Sequence, residues 1–205
     1  MTAFIHPPAL IRRIAGGIFA LGLLAGCAAP MDEPTYPELR FNTQPPIRLN
    51  VAQVNITQSY VSSNADPHVE QLFPDPPAKA AAQWAHDRLQ PAGADGTLTY
   101  EIIDASALDA KLPRSTGLSS LTTVDQTDRF DLSLTIKVSA VSGDSLHRAS
   151  ADVTVTRSQT INEKTTEAER DGVWYDMTKQ AMDELDAKLT AQINDHLAWF
   201  RQTTN

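Results

Sequence analysis

The stretch DRFDLSLTIKVSAV, residues 128–141, decides the fold class. Phe130, Leu132, Leu134, Ile136, Val138 and Ala140 occupy every second position, with Asp131, Ser133, Thr135, Lys137 and Ser139 between them. Successive side chains of a strand point to opposite faces, so this segment has one apolar and one polar face. A strand of that kind belongs in an antiparallel sheet with one face on a core and the other nearer water. Ser142-Gly143-Asp144 provides turn chemistry after it. Residues 147–160 then return, with Ala149, Ala151, Val153 and Val155 inward.

Upstream, residues 97–104 (TLTYEIID) read as a strand, joined to the first by a loop from about 109 to 127. Residues 47–61 (IRLNVAQVNITQSYV) read as the first strand of the domain. Ile47, Leu49 and Val51 alternate with polar residues, and the phase then shifts to Val54 and Ile56. Such a shift marks a bulge or a strand that changes the face it buries. A polar, Pro-rich loop at 62–77 ends in Phe73-Pro74-Asp75-Pro76-Pro77, and Asp75 before two prolines is a helix start signal. Residues 77–90 read as a helix with Ala78, Ala81, Ala82, Ala85 and Leu89 on one side and Trp84 beside them, ended by Pro91 and Gly93.

Thr166 and Glu169 have the spacing of a capping box, and a long helix is expected from there to about residue 201. Val173, Trp174, Met177, Ala181, Met182, Leu185, Leu189, Ile193, Leu197 and Phe200 form its apolar stripe. Glu184 and Lys188 pair at i,i+4 on the wet side. At ~1.5 Å per residue this helix is about 50 Å long, whereas a twelve-residue strand spans about 40 Å, so its C-terminal end is expected to overhang the sheet. The fold class is therefore α+β: an antiparallel sheet of about four strands packed on two helices, in the order β-α-β-β-β-α. No internal repeat is present.

The N-terminus has a different character. Residues 1–13 are polar and carry Arg12 and Arg13, residues 14–24 (IAGGIFALGLL) are apolar, and Ala25-Gly26-Cys27 follows. That is the order of a secretory signal. The apolar run is too short to cross a ~30 Å hydrocarbon layer, which takes roughly 20 helical residues. Leu24-Ala25-Gly26-Cys27 resembles the bacterial lipobox. The resemblance implies that residues 1–26 are a lipoprotein signal peptide and that Cys27, the lone cysteine, becomes the acylated first residue of the mature chain. Two or more acyl chains anchor stably, at ~0.8 kcal/mol per buried CH₂. Consuming the thiol also leaves no disulfide, so an exported domain would stand on its core alone. Residues 27–46, with Pro30, Pro34, Pro37, Pro45 and Pro46, read as a semi-rigid tether. Tyr36, Leu39 and Phe41 are apolar enough to dock on the domain and shorten its span. Residues 47–205 then form a single α+β periplasmic domain.

Without residues 1–26 the chain has fifteen basic and twenty-five acidic residues, a net charge of −10. Such a domain repels nucleic acid and anionic headgroups, so nucleic acid is excluded as a partner and the acyl chains must supply the membrane attraction. His68, His86, His147 and His196 lie on separate elements without the spacing of a zinc pair. No serine has a nucleophile-elbow context and no Gly-rich phosphate loop is present. The reading is a non-enzyme with no cofactor and no metal. Two contact candidates remain. One is the Leu112–Thr127 loop, longer than a hairpin needs and carrying Leu118, Leu121 and Val124. The other is Trp199 and Phe200 at the end of the last helix, whereas Trp174, on the stripe, reads as core.

With a lipobox in front, this order of elements is similar to the periplasmic auxiliary lipoproteins of envelope transport systems, including those that work with ABC-type lipid transporters. The likeness rests on the strand from Ile47 to Ile56, the Trp84 helix and the strand pair leading into the Trp174-Tyr175 helix. It spans about 47–200 at the level of fold, and no functional residue is carried over. It implies an adaptor in envelope transport or assembly, with an envelope protein complex or lipid as partner. The alternative is a structural envelope lipoprotein binding peptidoglycan or an outer-membrane complex. An enzyme would need a polar constellation converging in a cleft. Ala28, rather than an aspartate, follows Cys27, which leans toward the outer membrane, facing the periplasm.

Overall fold

Phe130, Leu132, Leu134, Ile136, Val138 and Ala140 are all buried, and the strand that carries them is the middle of the structure. The computed structural model describes residues 34–113 and 124–202. In chain order the elements are β1 (Ile47–Leu49), β2 (Gln53–Gln58), α1 (Pro77–Arg88), β3 (Leu89–Pro91), β4 (Thr97–Lys111), β5 (Gln126–Val141), β6 (Arg148–Asn162) and α2 (Glu167–His196), with short 3-10 turns at Glu70–Leu72 and Ala198–Phe200.

The fold is α+β, and its main sheet has four strands in the order β2-β4-β5-β6. The β4–β5 and β5–β6 pairs are antiparallel, but β2 runs parallel to β4. The sheet is therefore mixed rather than wholly antiparallel. The reason is the intervening helix: α1 carries the chain from the end of β2 back to the start of β4, and adjacent strands joined by such a crossover run the same way. The phase shift between Val51 and Val54 proves to be a break. β1 leaves the main sheet and pairs in parallel with β3, in a second sheet of two strands. Where a helix is expected to end at Pro91 and Gly93, Leu89–Pro91 already forms β3. Gly93 sits against the backbone of the opposite segment, and a Cβ there would fall 2.5 Å from the Asn50 carbonyl carbon.

β4 runs to Lys111, well past residue 104, so the β4–β5 connection starts later than expected. β2 covers only its first half. An uncovered strand edge is a template for unwanted pairing, and the chain after β2 closes the rest. The Val69 amide donates to the Ala107 carbonyl (2.9 Å), the Asp109 amide donates to the Pro67 carbonyl (2.8 Å), and His68 bridges Leu108.

Both helices differ from expectation in detail. α1 has Pro76 as its N-cap, with no side-chain cap, so Asp75 is not the capping residue. The Asp75 carboxylate instead accepts the Leu39 amide at 2.9 Å. The buried side of α1 is Pro77, Ala80, Ala81, Trp84, Ala85 and Arg88, rotated by about one position so that Trp84 rather than the alanine row sits at its centre. α2 does begin with the Thr166/Glu169 capping box. Its buried residues run from Trp174 through Met177, Ala181, Met182, Leu185 and Leu189 to Ile193. Glu184 accepts from Lys188 at 2.6 Å and also pairs with Arg157 of β6.

The two helices are joined by one carboxylate. Asp186 accepts from Trp84 Nε1 at 2.8 Å and from Arg88 Nε at 2.9 Å. The buried Arg88 guanidinium also donates to the carbonyl of Pro45 and approaches the Thr190 hydroxyl at 3.4 Å. From Pro45 the preceding residues lie along the helices as a strap. Leu39 and Phe41 are buried, and the Phe41 amide donates to Asp87 at 2.9 Å. Tyr36 packs on Tyr175 with ring centroids 5.1 Å apart and donates to the Ala168 carbonyl at 3.0 Å, while the Tyr175 hydroxyl donates to the Pro37 carbonyl. Gly172 makes room for this: a Cβ there would lie 3.3 Å from the Tyr36 hydroxyl. Glycine costs a helix interior about 1 kcal/mol relative to alanine.

Trp84 therefore has two separable roles, ring packing and donation to Asp186. Trp84→Ala should cost about 3–5 kcal/mol of unfolding free energy, and Trp84→Phe, which keeps a ring but removes the donor, about 1–2 kcal/mol. Urea denaturation of the two variants would separate the roles. Equal losses would show that the ring contributes nothing beyond its hydrogen bond.

Candidate functional site

Three places on the described surface combine polar chemistry or exposed apolar groups, and they lie at different parts of the sheet.

The first is the carboxylate of Glu70 on the strip that closes the β4 edge. Glu70 is 4% exposed. One carboxylate oxygen accepts from the hydroxyls of Tyr60 and Ser62 and lies 3.3 Å from His68 Nδ1. The other accepts the Ala107 amide at 3.1 Å. Burial opposes the charge of Glu70, but the hydrogen bonds from Ser62, Tyr60 and Ala107 outweigh it and hold the carboxyl below its ordinary range. Burial first, and then the carboxylate beside it, pushes the Tyr60 hydroxyl well above the usual tyrosine value. A Ser, a His and a Glu thus converge, which sequence reasoning did not foresee. A Ser–His nucleophile needs the hydroxyl bonded to the imidazole. Ser62 donates to the carboxylate rather than to the imidazole. Glu70 instead ties the edge-covering strip to β4.

The second place is a cleft of about 690 Å³ where β5 starts and β6 ends, beside the N-terminus of α2. Val124, Gln126, Gln159, Ile161, Lys164 and Glu169 are among its walls. Val124, a contact candidate from the sequence, is 45% exposed at its edge. Leu118, Leu121 and Cys27 lie outside the described residues. Glu169 is held below the usual carboxylate range by the Thr166 amide and hydroxyl, so its charge belongs to the helix cap.

The third place is the opposite end. Trp199 is 51% exposed and stacks on His147 with ring centroids 4.0 Å apart, and Leu146 beside it is 80% exposed. Phe200, paired with Trp199 as a contact residue on sequence grounds, is 1% exposed and belongs to the core. The expected overhang is the reason for the discrepancy. α2 stops at His196, and the turn Ala198–Phe200 folds the chain back onto β1. There the Asn50 amide donates to the Phe200 carbonyl at 2.7 Å and the Gln202 amide to the Arg48 carbonyl at 3.1 Å. Leu146 and His147, in the β5–β6 turn, were missed because a turn and a helix end distant in sequence share no periodic signal. Trp174 is buried between Phe73 and Phe130, as its place on the stripe requires.

Among the described residues no group of three or more His, Cys, Asp or Glu side chains is arranged to hold a metal ion. Among them, too, no helix is long and apolar enough to cross a membrane.

No protein-family model matches the sequence, and no curated protein matches it. Solved structures with a similar layout include rare lipoprotein B from Shewanella oneidensis, at 12% identity and a TM-score of 0.37, covering 69% of this chain and 97% of that one. A minor lipoprotein from Acinetobacter baumannii matches at 11% identity and a TM-score of 0.36, covering 75% of this chain and 97% of that one.

Two sets of variants check these assignments. Phe200→Ala should cost about 3–5 kcal/mol, whereas Trp199→Ala should cost under about 1 kcal/mol; reversed costs in urea denaturation would place the wrong ring in the core. Glu70→Gln tests the tie to β4 through pH. A carboxyl that titrates lower in the fold than in the unfolded chain stabilises fully above its unfolded value of about 4.3 and loses that contribution as pH falls through the folded one. The deficit of Glu70→Gln relative to wild type should therefore be present at neutral pH and shrink below about pH 4. A pH-independent deficit would contradict an ionised Glu70.

Proposed function

We propose that this chain is a membrane-anchored, non-catalytic cell-envelope lipoprotein, serving as an adaptor or auxiliary component of an envelope transport or assembly system. The observation that carries the reading is Leu24-Ala25-Gly26-Cys27 behind a charged and then apolar leader, with Cys27 the lone cysteine. In this reading residues 1–26 are removed, acylated Cys27 holds the outer membrane, and the domain faces the periplasm. The strap at 34–46 is then part of the domain, and residues 28–33 alone link it to Cys27. Two further observations favour binding over catalysis. The Glu70 cluster uses its polar groups on one another, and the exposed contact groups sit at the ends of the sheet. The partner is an envelope protein complex or a lipid.

Two measurements test it. Mass spectrometry of the protein isolated from bacterial membranes should find a mature N-terminus at Cys27 carrying acyl chains, and Cys27→Ser should abolish labelling by an alkyne-bearing fatty acid. An unmodified Cys27, or a Cys27→Ser protein that still sediments with membranes, would contradict the anchor. Photocrosslinking in cells from Trp199 should recover a transport or assembly component. Recovery of peptidoglycan fragments instead would favour a structural role.

A further inference from the structure

The path of the strap fixes which end of the domain meets the bilayer. Pro45 is held by Arg88 near Thr190, toward the C-terminal end of α2, and Tyr36 is held at Ala168, at its N-terminal end. Nine residues of extended chain cover about 30 Å, and the twenty-two residues of α2 from Ala168 to Thr190 cover about 33 Å. The Tyr36 and Arg88 side chains add to the reach of the strap, so it spans most of the length of α2. The strap therefore runs parallel to α2, with a turn at 42–44, and toward its N-terminal side the chain leaves the domain beside the α2 N-terminus. Cys27 precedes Pro34 by seven residues, a reach of at most about 25 Å. α2 has thirty residues and is about 45 Å long. An anchor at Cys27 can thus reach a bilayer close to the α2 N-terminus, while the far end lies a full helix length beyond.

We infer that the end of the sheet at the α2 N-terminus, with Val124 and the cleft walled by Gln126, Lys164 and Glu169, faces the lipid surface. The opposite end, with Leu146, His147 and Trp199, points into the aqueous compartment. The inference rests on acylation of Cys27. Its occupant is a bilayer surface, argued from the length of chain between Cys27 and the strap and from where that chain leaves the fold. The upright posture follows from charge as well. With a net charge of −10 outside the leader, the domain gains nothing by lying along a membrane with anionic headgroups. The aqueous end is then the one that presents Trp199 and Leu146 to a protein partner.

The test uses the full-length acylated protein in phosphatidylcholine vesicles whose headgroups carry an acceptor dye. Acylation consumes the Cys27 thiol, so a cysteine introduced at either exposed position takes a donor dye alone. Energy transfer to the vesicle should be about twofold or more greater from Val124→Cys than from Leu146→Cys, because the two ends are separated by roughly the ~45 Å length of α2. Equal transfer would mean that the domain lies flat, and stronger transfer from Leu146→Cys would mean that it stands the other way; either overturns the inference. Flotation of the vesicles reports the anchor separately. Protein that floats with the wrong transfer order defeats the orientation alone, whereas protein that fails to float defeats the anchor and the orientation with it.

Discussion

Asp186 accepts hydrogen bonds from Trp84 and Arg88 at once, and the outer layer of the domain depends on that junction. A buried guanidinium is costly to take out of water, and leaving one without its carboxylate is strongly destabilising. Arg88 avoids that cost by directing its donors to three partners on two parts of the chain: Asp186 and Thr190 on α2, and the Pro45 carbonyl on the strap. Helix-to-helix packing and the C-terminal end of the strap thereby meet at one guanidinium. Loss of the carboxylate would leave Arg88 with Thr190 and the Pro45 carbonyl alone, loosening α1 from α2 at the point where the strap ends.

The strap changes what the Pro-rich N-terminal segment does. Proline fixes φ near −65° and offers no amide donor, which favours an extended path and leaves few amides to satisfy. Two of those that remain are given to carboxylates of the domain, Leu39 to Asp75 and Phe41 to Asp87. At the far end the Tyr36 hydroxyl donates to the Ala168 carbonyl and the Tyr175 hydroxyl to the Pro37 carbonyl, with the two rings packed together. A segment with the composition of a spacer thus serves as a third layer over the helices.

Legibility in the sequence followed the strength of the periodic signal. Alternation from Phe130 to Ala140 marked β5, and the Thr166/Glu169 spacing marked the start of α2, because each pattern has one physical cause. The second half of β4 was missed because Asp104 to Ala110 is rich in alanine and aspartate, which carry little strand preference. Its burial comes from β5 on one side and the Glu70 strip on the other. Alanines alone did not define the face of α1, since their small side chains leave the choice to Trp84. The parallel pairing of β2 with β4 is implicit in the β-α-β order, whereas the alternation in β5 speaks for its own antiparallel neighbours alone. Phe200 reads as a surface residue only on a continuous helix, and the chain instead turns back after His196. The candidate contacts were half legible for the same reason: Val124 and Trp199 were visible as apolar residues at element ends, whereas Leu146 and His147 become neighbours of Trp199 through folding alone.

The strap is the feature on which both the anchor geometry and the helix junction turn, and its docking can be read amide by amide. Hydrogen exchange followed by mass spectrometry or NMR reports the protection of the Leu39 and Phe41 amides directly. If the strap belongs to the fold, both exchange slowly, in step with the amides of α1 that share the Arg88–Asp186 junction. Exchange of Leu39 and Phe41 at the rate of an unprotected chain, with α1 still protected, would contradict it.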